Sequence, residues 1–460
     1  MTTPPRLSRI ASLAAAAAAV MALGAAGAAQ AADRSAGLYV IPFSAGTDVK
    51  ITGDHLTHSP KNRIDMVGLD GGDRITAAAP GTIRFIQDGF SEKRPGGSPC
   101  NNNYVWIEHA NGEWTKYSHM RKNSVGVDAG LDVGDTVQTG RFLGIQSDVG
   151  CASGKHLHFQ VSVPANAASP IDSQGFMSGE DRIPRICGIP GQQFVKGTTY
   201  RTTGLVPGAA EYARHGVPES KYSQLFHEAA DCGYRLAWID GYTDGGQLEF
   251  NVVFRTNSDN RAWRSHSRMT GAQYQAKFDD YKAQGFRLTH VDSYVVSGNV
   301  QYAAIWEKTA GPSYVAYHGL TASQHQDRFD DLAAQGFVAR VISPVSLNGS
   351  RRYTAIYVKA NAGAWEARSF LTPAEYQAKF DANTAAGRRL VYLNAYTHDG
   401  QPRISAIWWK SAPSVFAKHG LTSAQYQAQW SANLSAGRLT QAVTGYEQGG
   451  DVRFAAFWAN

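Results

Sequence analysis

The residues whose types and spacing best suit chemistry lie in Gly154-Lys155-His156-Leu157-His158-Phe159. In an extended segment, residues two apart point to the same face. His156 and His158 therefore project together, while Leu157 and Phe159 turn into a core. Two imidazoles on one face can bind a metal, or one can bind it while its neighbour handles protons. Two half-exposed surface histidines are the plain alternative. A catalytic zinc needs three protein ligands and an open position, and further donors occur upstream. His58 and Asp65 stand seven apart in Thr57–Met66, and Asp65 sits between Ile64 and Met66, where an unpaired acid would be costly. A third group comprises Glu108-His109-Ala110-Asn111-Gly112 and Tyr117-Ser118-His119-Met120.

Short β-like runs must position these groups. Leu38–Ile41, Gly81–Ile86, Tyr104–Ile107 and His156–Val161 are separated by clusters of Gly, Asn, Asp and Pro, so residues 33–170 are expected to form an antiparallel all-β domain. Residues 171–208 are interrupted by Pro and Gly and read as an irregular connector. Four cysteines follow the N-terminal segment, and an even count in an exported chain suggests two disulfides. Three connectivities are open. Cys100–Cys151 and Cys187–Cys232 are favoured, because the first pair flanks one motif region and the second lies outside it. The spacing contains no C-x-x-C, which argues against a cysteine-based zinc site.

From 209 to 460 the chain repeats itself. Gln275-Ala276-Lys277-Phe278-Asp279, Gln377-Ala378-Lys379-Phe380-Asp381 and Gln427-Ala428-Gln429-Trp430-Ser431 align directly. Glycines at 233, 285, 336, 387 and 437, and aromatics at Phe254, Trp306, Tyr357, Trp408 and Trp458, recur with the same steps. These define five units of about 51 residues. Within one unit, Thr372-Pro373-Ala374-Glu375 is an N-cap, a first-turn proline and a capping-box acid. Tyr376 and Phe380 share a helical face, and Gly387 ends the helix in the left-handed conformation. Two strands follow around His398-Asp399-Gly400. The expected unit is helix–strand–strand, and five such α+β units must stack or close into a ring, because one alone buries too little. The stripe Tyr222, Tyr274, Tyr376 and Tyr426 reads as core.

The 460-residue chain is 43% hydrophobic and 18% charged, which is globular composition. Its formal net charge of +6 includes Arg6 and Arg9 near the N-terminus. That balance, without any Lys/Arg run, argues against a nucleic-acid partner. Arg6 and Arg9, the apolar Ile10–Ala22 and the small-x-small Ala29-Gln30-Ala31 read as a Sec-type signal peptide over residues 1–31, removed after about Ala31. No later segment is long and apolar enough to span a bilayer, so the expected product is secreted, with no membrane association once the leader is gone.

His58 and Asp65, then Ile107-x-His109-x-Asn111-Gly112 and Tyr117-x-His119-Met120, then Ser153-Gly154-x-His156-Leu157-His158-Phe159 resemble the lysostaphin-type zinc endopeptidases, also called the LytM or β-lytic family. Ala77-Ala78-Ala79-Pro80-Gly81-Thr82-Ile83 and Val133-Gly134-Asp135-Thr136-Val137 support the likeness, which covers about residues 38–165. The resemblance implies a lysostaphin-like β sandwich with a duplicated hybrid motif, and one Zn²⁺ per chain held by His58, Asp65 and His158. It implies His156 and His119 as the catalytic histidines beside the metal. Many members have the pattern H-x-G-x-D, with the first two ligands four apart; here His58 and Asp65 are seven apart with no glycine between them, and His55 is the fallback first ligand. Asp54, Asp70 and Asp73 read as turn acids and His109 as a structural residue. The implied activity is hydrolysis of peptide bonds in peptidoglycan cross-links or glycine-rich peptides. The alternative is a non-catalytic peptidoglycan-binding or hydrolase-regulating protein of the same fold; a third reading is a protease of extracellular host proteins. The 51-residue units, through Leu371-Thr372-Pro373-Ala374-Glu375-Tyr376 and Tyr302-Ala303-Ala304-Ile305-Trp306, resemble the bacterial tandem repeat domain. They carry no repeated catalytic set, which implies a targeting or scaffold role.

Overall fold

The alternation along Leu157–Val163 organises the N-terminal half. Leu157, Phe159 and Val161 are completely buried in one core with Ile64, Met66, Val105, Ile107 and Tyr117, while His158, Gln160 and Ser162 lie on the opposite face. In the computed structural model, which describes residues 33–460, this strand is central to a ten-stranded sheet. The path runs Thr199–Arg201, Asp48–Gly53, Ile64–Gly68, Leu157–Val163, Trp114–Ser118, Tyr104–Glu108, Gly81–Gln87, Thr136–Val137. A ribbon of Arg74–Thr76 and Phe142–Ile145 contributes Ile75 and Leu143 to the same core. The strands of the β sandwich pair antiparallel except that Arg34–Tyr39 pairs in parallel with Glu180–Ile186. The expected signal peptide lies outside the described residues.

Two findings refine the expected organisation. Residues 171–208 are more than a connector, because Glu180–Ile186 and Thr199–Arg201 both join the sheet. The first carries Pro184 and charged residues in place of an apolar alternation, and the second has only three residues, which hid them. Both disulfides pair as favoured from the sequence, Cys100–Cys151 and Cys187–Cys232. The second ties the N-terminal half to the first repeat, where Leu38 and Val40 pack against a core holding Cys187, Tyr222 and Cys232.

Each repeat begins with a strand that the helix–strand–strand reading lacked. In the fourth, Trp365–Leu371 precedes the helix Pro373–Ala385, and Arg389–His398 and Gln401–Trp409 follow. The final strand sits between the other two in every three-stranded sheet. The extra strand was illegible because its side chains are half-buried and its pairing is broken by a bulge, between Arg368 and Leu371 in this unit. The helix is capped as expected: Thr372 accepts from the Glu375 backbone N–H, and the Glu375 side chain accepts from Thr372. Gly387 has φ 74°, and the four equivalent glycines are also left-handed.

The five units close into a ring. Their inner strands (Tyr234–Asp244, Arg287–Val296, Val338–Leu347, Arg389–His398 and Leu439–Gln448) pack in succession, and the first packs against the last. The seam is stitched by polar contacts. Trp238 Nε1 donates to the Val443 carbonyl at 2.8 Å, and Glu211 accepts from the Thr440 N–H at 2.7 Å and from Trp430 Nε1 at 2.6 Å. The tyrosine stripe is core, as expected.

In the third unit the stripe position is His325, which stacks on Tyr353 with centroids 4.4 Å apart. Burial, aided by Arg351, lowers its pKa from 6.5 to about 4. The unfolded chain therefore takes up this proton first as pH falls below 6.5, and the folded chain resists until about 4. Stability is lost across that window. His325→Phe should remove this term. The stability advantage of the variant should grow by about 3 kcal/mol between pH 6.5 and 4, read from denaturant melts at both pH values; a constant difference would contradict it.

Candidate active site

Strand register brings the sequence-predicted residues together. Leu157–Val163 lies between Ile64–Gly68 and Trp114–Ser118, so His158 faces Asp65 on one side and Ser118 on the other. His119 follows Ser118 immediately and is held at φ 64°, a left-handed conformation uncommon for a non-glycine residue and typical of functional sites. His156 precedes the strand and bridges to Ser147. His58 arrives from the turn-rich segment after Asp48–Gly53. All five line a groove of about 360 Å³ bordered by Cys100 and Cys151.

Each ring is oriented by an outer partner. His58 Nδ1 is 2.7 Å from the Pro60 carbonyl, so it carries the proton and leaves Nε2 facing Asp65 Oδ1 at 3.4 Å. His158 Nε2 is 3.0 Å from Gln160 Oε1. The Gln160 amide is oriented in turn: its NH₂ donates to Ser162 Oγ and Asp181 Oδ1, both at 2.9 Å, and Asp181 pairs with Arg63 at 2.6 Å. His158 Nδ1 is therefore a bare lone pair 3.2 Å from Asp65 Oδ1. His119 and His156 donate through Nδ1 to the Val149 and Gly154 carbonyls, at 2.9 and 2.8 Å, leaving each Nε2 free. The His156 Nε2 lies 3.6 Å from Asp65 Oδ1.

Three acceptor atoms from His58, Asp65 and His158 thus converge, all within 4.8 Å of one another. Acceptors face one another only if a cation or proton sits between them. Ligands about 2.0–2.1 Å from a zinc stand ~3.3 Å apart at the corners of a tetrahedron. The His58–Asp65 and His158–Asp65 separations match that edge, so the donor set fits zinc. Burial opposes the charge on Asp65, but the facing His158 and His58 rings outweigh it and hold the carboxyl well below its usual range. Burial, reinforced by His156 and His158, lowers His119 to about 3, which leaves it a neutral acceptor.

The other candidates lie elsewhere. His55 faces Gln193, Asp54 caps its own turn through Leu56 and Thr57, and Asp73 pairs with Lys155. Asp70 occupies a left-handed turn position. His109 bridges the Pro80 carbonyl and Thr115 within the fold. Two features around the site escape the sequence reading. Gln160 and Ser162 continue the polar face of the His158 strand, a period of two visible in His156-Leu157-His158-Phe159-Gln160-Val161-Ser162. Lys116 is buried against Tyr104, Trp106 and Phe176, with Nζ donating to the Gly175 carbonyl at 2.7 Å, and burial lowers it to about 7. Its partners come from a distant loop, which sequence spacing does not reveal.

Comparison with protein families matches residues 60–172 to peptidase family M23. Residues 208–257, 260–309, 311–360, 362–411 and 412–460 match the polyglycine hydrolase-like structural repeat, which spans more than half of the chain. The chain belongs to the polyglycine hydrolase-like repeat proteins and carries an M23 peptidase domain. Asp65, His119, His156 and His158 fall within the M23 match, and His58 stands two residues ahead of it. Similar solved structures include the catalytic domain of the antimicrobial peptidase lysostaphin from Staphylococcus simulans. It is 19% identical, with 31% of this chain and 86% of that one covered and a TM-score of 0.19. The M23 metalloprotease pseudoalterin, from the deep sea, is 20% identical over 36% of this chain and 96% of its own, at a TM-score of 0.22. A zinc-containing peptidase from Vibrio cholerae is 20% identical over 26% and 37%, at 0.19.

The Gln160 contact gives the M23 domain a testable support. Gln160→Leu leaves the His158 N–H without its acceptor and frees the ring to turn. Zinc affinity should fall by about 10–100-fold, measured by competition with a chromogenic chelator. Unchanged affinity would mean that Gln160 does not orient the ring.

Proposed function

We propose that this protein is a secreted zinc-dependent endopeptidase that cleaves peptide bonds in peptidoglycan cross-links or glycine-rich peptides. The observation that carries the proposal is the convergence of the inward lone pairs of His58, Asp65 and His158, with the free Nε2 atoms of His119 and His156 beside them. His58, Asp65 and His158 would hold one Zn²⁺, which when bound supplies Lewis acidity to polarise the scissile carbonyl and acidify water. His119 and His156 divide the remaining work. One takes the proton of the attacking water at its free Nε2 and delivers it to the leaving amine, and the other, once protonated at Nε2 as well as Nδ1, donates a hydrogen bond to the oxyanion. The Val149 and Gly154 carbonyls keep both rings turned so that Nε2 faces the reacting atoms.

The open groove suits an extended peptide with small side chains, because glycine lets a backbone approach closely. The two disulfides support an oxidising, extracellular setting, and no helix among the described residues is long and apolar enough to cross a membrane. The peptidase unit spans about residues 33–170, completed by strands from 171–208, and the ring of repeats serves as a targeting or scaffold module. Purified protein should clear a suspension of Gly-rich peptidoglycan and lose that activity with a zinc chelator, with released fragments identified by mass spectrometry. Zinc-loaded protein that binds the wall yet releases no fragment would favour the non-catalytic reading.

A further inference from the structure

The interior of the ring has polar chemistry that the peptidase reading does not use. At one equivalent position in each inner strand the chain carries Asp240, Asp292, Ser343, Asn394 and Thr444, with the same spacing as the repeat glycines. All five are buried. The residue after each is small or cyclic, from Gly241 to Gly445. A Cβ on Gly241 would stand 2.5 Å from Tyr294, and one on Gly445 would stand 2.5 Å from Tyr242. Close approach of the strands thus delivers one oxygen-bearing side chain per repeat to the axis.

These side chains reach one another across the ring. Asp240 accepts from the Gly445 N–H at 2.9 Å and Asp292 from the Gly241 N–H at 2.8 Å. Ser343 Oγ and Asn394 Nδ2 both donate to Asp292 Oδ1, at 2.8 and 3.2 Å. Among the described residues neither carboxylate makes an ion pair. Asn394 Oδ1 is buried with no hydrogen-bond partner, although its amide is directed into this cluster. Two buried carboxylates with no cation are costly, and burial pushes Asp240 up to about 7. Two members of the cluster, Asp240 and Asn394, line a cavity of about 190 Å³ that opens beside it, with Tyr242, Tyr294 and Tyr396 around it.

We propose that the ring axis binds one hard divalent cation, calcium, through side-chain oxygens of Asp240, Asp292, Ser343, Asn394 and Thr444. Calcium accepts about six to eight oxygen ligands in flexible geometry, and two carboxylates, an amide oxygen and two hydroxyls are such donors. The ion neutralises both carboxylates and satisfies the orphaned Asn394 oxygen. Because Asp240 also grips the last repeat through Gly445, the ion clamps the seam of the ring.

The test uses the full chain loaded with calcium, dialysed and assayed by elemental mass spectrometry. One calcium per chain should remain in the native protein and in His158→Ala, and be lost from the double variant Asp240→Asn, Asp292→Asn. Added calcium should raise the melting temperature by several degrees in the first two only. Terbium provides a readout on the unaltered protein, since the axial tyrosines should sensitise its luminescence and calcium should quench it by competition. Absence of retained calcium together with absence of sensitised terbium emission would overturn the proposal, leaving the two acids to share protons instead. Equal calcium retention in the double variant would also overturn it.

Discussion

His158→Ala should abolish zinc retention and peptide hydrolysis together, whereas His156→Ala and His119→Ala should keep zinc and lose about 10²–10⁴-fold in turnover. The contrast follows from where each ring points. His158 aims Nδ1 at Asp65 Oδ1 from 3.2 Å and is locked there by Gln160, so its removal takes away one corner of the proposed three-ligand site. His119 lies further out, its ring centroid 6.1 Å from that of His158 and 4.6 Å from that of His156. Removing it leaves His58, Asp65 and His158 in place and deletes only a proton acceptor. Elemental analysis and turnover of glycine-rich peptide, measured on the same preparations, separate the classes. Stoichiometric zinc in His158→Ala would defeat the ligand assignment, and full activity in both other variants would defeat the acid–base one.

Trp408→Ala should destabilise the ring by about 3–5 kcal/mol. Trp408 has no solvent exposure, stacks on Tyr376 and sits at the position occupied by Trp306, Tyr357 and Trp458 in other repeats. Its truncation leaves a cavity between helix and sheet that rigid neighbours cannot fill. Trp408→Phe should cost less than Trp408→Ala, because it keeps a ring against Tyr376 and leaves a smaller cavity, and the indole N–H it discards has no hydrogen-bond partner. Chemical denaturation of the two variants compares these outcomes; equal losses would show that a smaller aromatic ring cannot stand in for the whole indole at this position.

Much of this molecule was legible in its residues, for identifiable reasons. The alternation through His156–Val161 announced a strand with one polar face. The Thr372, Glu375 and Gly387 signals fixed both ends of a helix, because capping is local chemistry. What escaped depends on partners remote in sequence. The strand opening each repeat has no clean alternation, since its residues are half-buried and its ladder is bulged. Glu180–Ile186 reads as irregular because its pairing partners are Arg34–Tyr39 and the end of the His158 strand. Lys116 looks like any strand lysine until Gly175 and Phe176 fold over it. The axial Asp240, Asp292, Ser343, Asn394 and Thr444 escaped for another reason. Their residue types differ, and only their common position, read after the units are aligned, shows that they meet.

The junction of the first and last repeats has a consequence for how such a chain can change. An open stack tolerates gain or loss of a unit at its end, since each module needs only one neighbour. Here Trp238 and Glu211 already grip Val443, Thr440 and Trp430, so a sixth copy would have to pry that joint apart and a fourfold version would leave it gaping. Copy number is thereby frozen by geometry, and variation is channelled into substitutions within units rather than into their multiplication.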